Sequence, residues 1–366
     1  MRPPDSYLPF GLAIATLTGA VLSLQPGMAS SLRSPGPTPD TIAFGSCLRQ
    51  GRNQPVWDAI VRQNPDLFLF LGDNIYADTR DPEVMRAGYA RLAADPGYRR
   101  LSGISPVLAT WDDHDYGEND AGAEYPMKQQ SERIFLDFFG VPPGAPSHMR
   151  AGIYSAHLFG QAPRRVQVLM FDTRYFRGPL TRSPPDALCP RGGYTPNEDP
   201  GSTLLGEAQW RWLAGELEKP AELRLLVSSI QVIPYQHCYE KWSNLPLERE
   251  RLFRLIRDSG ANGIIILSGD RHHAEISRLP PEVIGFPLYE VTASGMNTAR
   301  RGKTEPNRYR TTARSFREDH FGVIAIDWDH PDPVVALRIM GLSGRVAMEQ
   351  TLRLGELSRQ NQLITQ

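Results

Sequence analysis

Apolar runs alternate with amphipathic stretches through the first two-thirds of the chain, and the last third turns strand-rich. Residues 41–46 read as a buried strand, with Trp57, Ile60 and Val61 at helical spacing behind it. A continuous apolar run at 66–71 predicts a second strand, 84–92 a helix, 106–110 a third strand and 131–139 another helix. Strands are expected at 152–159 and 165–171, a long loop at 178–202, and a helix at 205–217. After them come a strand at 223–233, a helix at 247–258 closed by Gly260, and a strand at 263–267. The C-terminal part predicts strands at 288–293, 321–328, 334–340 and 346–354. This alternation gives an α/β protein with a β-rich C-terminal half, and no internal repeat or second composition regime divides it.

Four of these strands end in small polar clusters: Ser46-Cys47, Gly72-Asp73, Asp112-Asp113-His114 and Gly269-Asp270-Arg271-His272. A single carboxylate after a strand is usually a turn former or a helix cap. Four clusters with the same placement point instead to a shared site beyond the carboxyl ends of the strands, where loops converge.

Composition changes this picture little. The 40% hydrophobic and 22% charged content is ordinary for a globular protein, and a net charge of -1 gives no overall field for nucleic acid or anionic membrane. The N-terminus does add something. Arg2, an apolar run at 8–24 and the small-x-small sequence Gly27-Met28-Ala29 read as a signal peptide over 1–29. Residues 30–40, rich in Ser, Pro and Gly, read as a disordered tether, and 41–366 as one catalytic domain. The expected location is therefore periplasmic or extracellular, with an uncleaved membrane anchor as the alternative and no membrane span after signal removal. Of three cysteines, Cys189 and Cys238 lie in loop-like surroundings and could pair in an oxidising compartment. Cys47 follows a strand and belongs to the first polar cluster.

The ordered set Phe44-Gly45-Ser46-Cys47, Leu71-Gly72-Asp73-Asn74-Ile75-Tyr76-Ala77-Asp78, Thr110-Trp111-Asp112-Asp113-His114-Asp115, Asp172-Thr173-Arg174-Tyr175-Phe176-Arg177 and Ser268-Gly269-Asp270-Arg271-His272 resembles the alkaline phosphatase D (PhoD-like) family. That family is a branch of the calcineurin-like metallophosphoesterases, and the resemblance runs over about residues 41–330. It implies a four-layer αββα sandwich, two mixed β-sheets flanked by helices. It also implies phosphoester hydrolysis by in-line attack of metal-bound hydroxide.

Phosphate esters resist water because they are anionic and water is a poor nucleophile; closely spaced metal ions address both problems. The resemblance implies Asp73 as the bridging carboxylate, with Cys47, Tyr76 and His272 on one metal and Asp113 and Asp270 on the second. A phenolate and a thiolate suit Fe(III). Hard oxygen ligands at the second position favour Ca(II) over zinc, with Zn or Mn as substitutes. The wider superfamily places a further histidine near 229–233, and this chain has none there. His114 is the candidate proton donor, with Asp112 or Asp115 to orient it. Arg174, Arg271, Asn119 and Asn297 are candidate phosphate contacts, the two arginines being equally readable as partners of nearby aspartates.

The expected partner is a small-molecule phosphoester, a monoester first; a phosphodiesterase or phospholipase D-like activity on the same core is the alternative. Tyr239 and Trp242 could stack on a leaving group or serve packing. A calcium-binding adhesion module is the non-enzymatic rival, but it leaves His114, Tyr76 and Cys47 without explanation.

Overall fold

The computed structural model describes residues 36–184, 189 and 193–359. The proposed signal segment and the first part of the tether lie outside the described residues. Residues 36–40 are pinned rather than loose: Gly160 donates to the Gly36 carbonyl at 2.8 Å and Trp328 Nε1 to the Pro39 carbonyl at 3.2 Å.

The first half contributes β1 (Thr41–Gly45), α1 (Val56–Val61), β2 (Leu67–Leu71), α2 (Pro82–Ala94), α3 (Pro96–Ile104) and β3 (Val107–Thr110). A one-turn helix α4 (Asp113–Tyr116) follows, then α5 (Lys128–Phe138), β4 (Ser155–Phe159) and β5 (Val166–Met170). A short hairpin of β6 (Thr181–Arg182) and β7 (Tyr194–Thr195) lies inside the expected long loop. Beyond it come α6 (Gly206–Leu217), β8 (Leu223–Ser228), α7 (Pro246–Ser259), β9 (Ile264–Ser268), β10 (Ala274–Leu279) and β11 (Leu288–Ala293). The chain closes with β12 (His320–Asp327), β13 (Val334–Gly341) and β14 (Val346–Arg353).

Two six-stranded mixed sheets result, in the orders β14-β13-β12-β1-β2-β3 and β10-β11-β9-β8-β5-β4. Strand β2 shows how the layers form. Leu67, Leu69 and Leu71 join the core shared with the second sheet, while Phe68 and Phe70 pack with Trp57, Tyr89 and Phe135 under α1, α2 and α5. Side chains alternate across a strand, so a run apolar at every position is buried on both faces. The second sheet carries α6 and α7 outside, through Trp210, Leu213, Leu252 and Phe253.

Strands β1, β2 and β3 run parallel, as do β5, β8, β9 and β11, so their carboxyl ends gather at one end of the sandwich. The sheets meet there: Ser46 donates to the Ala293 carbonyl at 3.0 Å. A Cβ on Gly269 would stand 2.6 Å from Ser46 Oγ, so only glycine permits this approach.

Candidate metal centre

The turns after β1, β2 and β9 place their side chains by an unusual backbone. Cys47, Asp73, Asp270 and His272 all have positive φ, at 60°, 53°, 65° and 53°. Non-glycine residues rarely adopt this left-handed region, and it persists where surrounding structure enforces it, often at functional sites. Gly72, at φ 99°, fits between β2 and Asp112.

Two groups of donor atoms result, each with its atoms within 4.8 Å of one another: Cys47, Asp73 and His272, and Asp73, Asp113 and His114. Asp73 belongs to both, the position a bridging carboxylate must hold. Cys47 Sγ lies 3.4 Å from Asp73 Oδ2, and Tyr76 Oη lies 3.4 Å from His272 Nε2. His272 Nδ1 donates to the Thr298 carbonyl at 2.8 Å, which leaves Nε2 turned to the cluster. Fixing a ring through its other nitrogen is how proteins orient a metal-binding imidazole. Ser294 Oγ sits 3.1 Å from Cys47 Sγ and accepts from His272 N at 2.7 Å. Asp113 accepts from His114 N at 3.0 Å and from Asp120 N at 2.7 Å.

The electrostatics call for a cation. Burial pushes Asp73 well above the carboxylate range; His114 opposes this, and the charges of Asp113, Asp112 and Asp115 add to it. Asp270 is raised to about 8, first by burial and then, against Arg271, by Asp113 and Glu240. Burial and the Asp73 charge likewise raise the Cys47 thiol, and burial raises Tyr76. Asp270 Oδ2 is buried and makes no hydrogen bond. Closely packed, desolvated acids are stable as anions only around a compensating positive charge. The donors present therefore fit a pair of metal ions.

His114 Nδ1 bonds Asp78 Oδ1 at 2.6 Å, and its ring lies 4.2 Å from that of Tyr76. Burial alone would lower its pKa, but Asp73, Asp113 and Asp78 raise it to about 11. Asp115 is occupied elsewhere, accepting from the backbone of Asp112 at 2.7 Å and Asp73 at 3.2 Å, so it shapes the turns instead of the imidazole. Asp112 accepts from Ser229 Oγ at 2.7 Å and carries the Arg174 guanidinium, so it too is taken from the imidazole. Asp78 carries no role in the motif reading, although it stands five residues after Asp73 in the same Gly-Asp segment. Ser294, Thr298 and Asp120 carried no signal, because they act through loops remote in sequence.

Arg174 is fully buried, with its guanidinium on Asp112 Oδ1 and, at 2.7 Å, on Glu240, so the structure takes the ion-pair reading over the phosphate clamp. Asn297 is a second correction. Its amide clamps the Arg49 backbone, accepting from N at 2.7 Å and donating to O at 3.0 Å. Asn119 is exposed and donates to Asp120. Arg271 stays at the edge of the cluster, 2.7 Å from Glu305 and 3.5 Å from Asp270, beneath the half-exposed Tyr239. Trp242 is fully buried and donates to Ser228 Oγ, so it is a core residue. Cys189 and Cys238 form a disulfide, and Cys47 is free. Among the described residues no helix is long and apolar enough to cross a membrane.

The model of the PhoD-like phosphatase family matches residues 42–327. Alkaline phosphatase D of Bacillus subtilis (strain 168) is 24% identical over 81% of this chain, which spans 59% of that relative's length. The solved structure of PhoD aligns with a TM-score of 0.67 at 17% identity, covering 87% of this chain and 70% of the other. GAP50, the anchor in the inner membrane complex of Plasmodium, aligns with a TM-score of 0.54 at 11% identity over 89% of this chain and 93% of its own, a likeness of fold.

Proposed function

Since the chain belongs to the PhoD-like phosphatase family, we propose that it is an exported, metal-dependent phosphoric ester hydrolase acting first on monoesters. The observation that carries this reading is the sharing of Asp73 between two donor groups, one with Cys47 and His272 and one with Asp113 and His114. Cys47, Asp73, Tyr76 and His272 would hold one ion, with Fe(III) favoured by the thiol and phenol. Asp73, Asp113 and Asp270 would hold the other, with Ca(II) favoured by the oxygen donors. When bound, such ions supply Lewis acidity that activates water and neutralises charge on the phosphoryl oxygens.

The chain's own residues do the rest. His114 keeps one ring nitrogen on Asp78 and carries its mobile proton on Nε2, where a leaving alkoxide can take it. Arg271, placed beside Asp270 and fixed by Glu305, is the candidate contact to a phosphoryl oxygen. Residues 1–29 would act as the export signal and the catalytic unit would follow. The disulfide supports an oxidising compartment.

Metal analysis of the purified protein tests the reading, together with an absorption spectrum. A visible charge-transfer band that disappears in Tyr76→Phe is expected, and metal-free protein with full turnover would overturn the proposal. Asp73→Asn should remove most activity while the fold survives. Comparing kcat/KM on p-nitrophenyl phosphate and its bis-ester decides between monoester and diester, and a clear preference for the diester reverses the assignment.

A further inference from the structure

The chain as a whole is nearly neutral, yet residues 298–319 hold seven Arg or Lys against three Asp or Glu. This stretch leaves the metal centre directly. Thr298 accepts from His272 Nδ1 through its carbonyl, its hydroxyl donates to the Cys47 carbonyl at 2.7 Å, and Arg300 N donates to the His272 carbonyl at 2.9 Å. Asn297 stitches the same segment to the loop after β1 through Arg49, and Arg52 Nη1 reaches the Asn297 carbonyl at 3.5 Å. Two loops thereby bring Arg49, Arg52 and Arg300 to one rim, and Arg301 and Lys303 follow Arg300 in the same stretch, all five exposed. Arg49 stands 4.5 Å over the ring of Tyr76, so the rim begins at the cluster itself.

None of these five cations forms an ion pair with a carboxylate among the described residues, whereas Arg80, Arg165, Arg251 and Arg338 each do. Of the nearby acids, Glu305 pairs with Arg271, and Asp319, which accepts from Ala299 N, is the one whose charge reaches the rim, at Arg52, without forming an ion pair with it. Uncompensated like charges repel one another and add nothing to the fold, but they concentrate and orient an anion. We infer that this rim is a subsite for a second anionic group, carried by the substrate beyond the scissile ester. The preferred substrates are then phosphoesters with a further phosphate. This rests on the phosphoesterase reading above and names its substrate class. Guanidinium groups bind phosphate bidentately, and an exposed rim gains most at low salt.

Fructose 1,6-bisphosphate and fructose 1-phosphate offer the same ester with and without a second phosphate. The full-length enzyme should favour the bisphosphate in kcat/KM by about 10-fold or more at low ionic strength, mainly through KM. Arg52→Gln with Arg300→Gln should cut that preference about 5-fold, as should added NaCl, while Arg91→Gln with Arg133→Gln on the outer helices should retain it. A wild-type ratio near one, an unaltered ratio in the rim variant, or an equal fall in the control overturns the inference. If neither sugar phosphate is turned over, calorimetric binding of fructose 1,6-bisphosphate decides it, and equal affinity in wild type and rim variant rejects the subsite. Turnover of p-nitrophenyl phosphate judges the phosphoesterase reading separately.

Discussion

The imidazole of His114 illustrates how single residues acquire roles here. Its neighbours in sequence, Asp113 and Asp115, accept from backbone amides, and the partner that orients it comes from the loop after β2. Asp78→Asn should lower kcat by about 10- to 100-fold with a smaller effect on KM, and shift the basic limb of the pH–rate profile. An unchanged profile would remove Asp78 from the mechanism. Arg174 is decided by burial: among aspartates it reads equally as a phosphate clamp or an ion-pair partner, and complete burial on Asp112 and Glu240 selects the second. Arg174→Met should cost about 3–5 kcal/mol in denaturant unfolding, because Asp112 and Glu240 would be left buried without their cation. Residue types were legible along the chain; which way each one turns was not, since that depends on contacts across 36 to 66 positions.

At the scale of elements, apolar runs located most strands well because burial on both faces leaves a continuous signal. The run at 223–233 predicts one strand, but β8 stops at Ser228, and Val232 and Ile233 continue as buried loop whose amides donate to Glu290. β10 has no counterpart among the expected strands because its sequence, Ala-Glu-Ile-Ser-Arg-Leu, buries Glu275 through Arg310 and so lacks an apolar pattern. Helix α3 likewise has no counterpart among the expected helices, its start being set by Asp95 accepting from Gly97 N and Tyr98 N. The Glu290 anchor makes a pH prediction. Burial raises its carboxyl from 4.5 to about 7, against the amides that lower it. The folded state therefore favours the protonated form, and the associated stability is complete below pH 4.5 and lost as pH rises through about 7. Relative to wild type, Glu290→Gln should gain stability across that interval, by up to about 3 kcal/mol in urea unfolding. A difference that does not vary with pH would contradict this. Gly72→Ala should be costly, since its Cβ would lie 2.6 Å from Asp112 Cβ at φ 99°. About 1–3 kcal/mol of stability should be lost, along with metal uptake.

For the whole molecule, the strand pattern alone reads only as α/β with a β-rich C-terminal half; the two packed sheets follow from the family resemblance, and the pairing between β1 and β12 joins segments too distant for any local pattern to show. The disulfide ties the hairpin loop to the segment bearing Glu240, across 49 positions. Its reduction should lower the thermal midpoint, consistent with about 2–4 kcal/mol, and scanning calorimetry with and without reductant measures this. The left-handed turns at Cys47, Asp73, Asp270 and His272 carry a consequence for protein engineers. Transplanting these four side chains onto another scaffold at matching Cα positions would aim them wrongly, because the bends and not the side chains set their direction. A successful graft must carry over the turns together with the glycines that let two sheets crowd against each other.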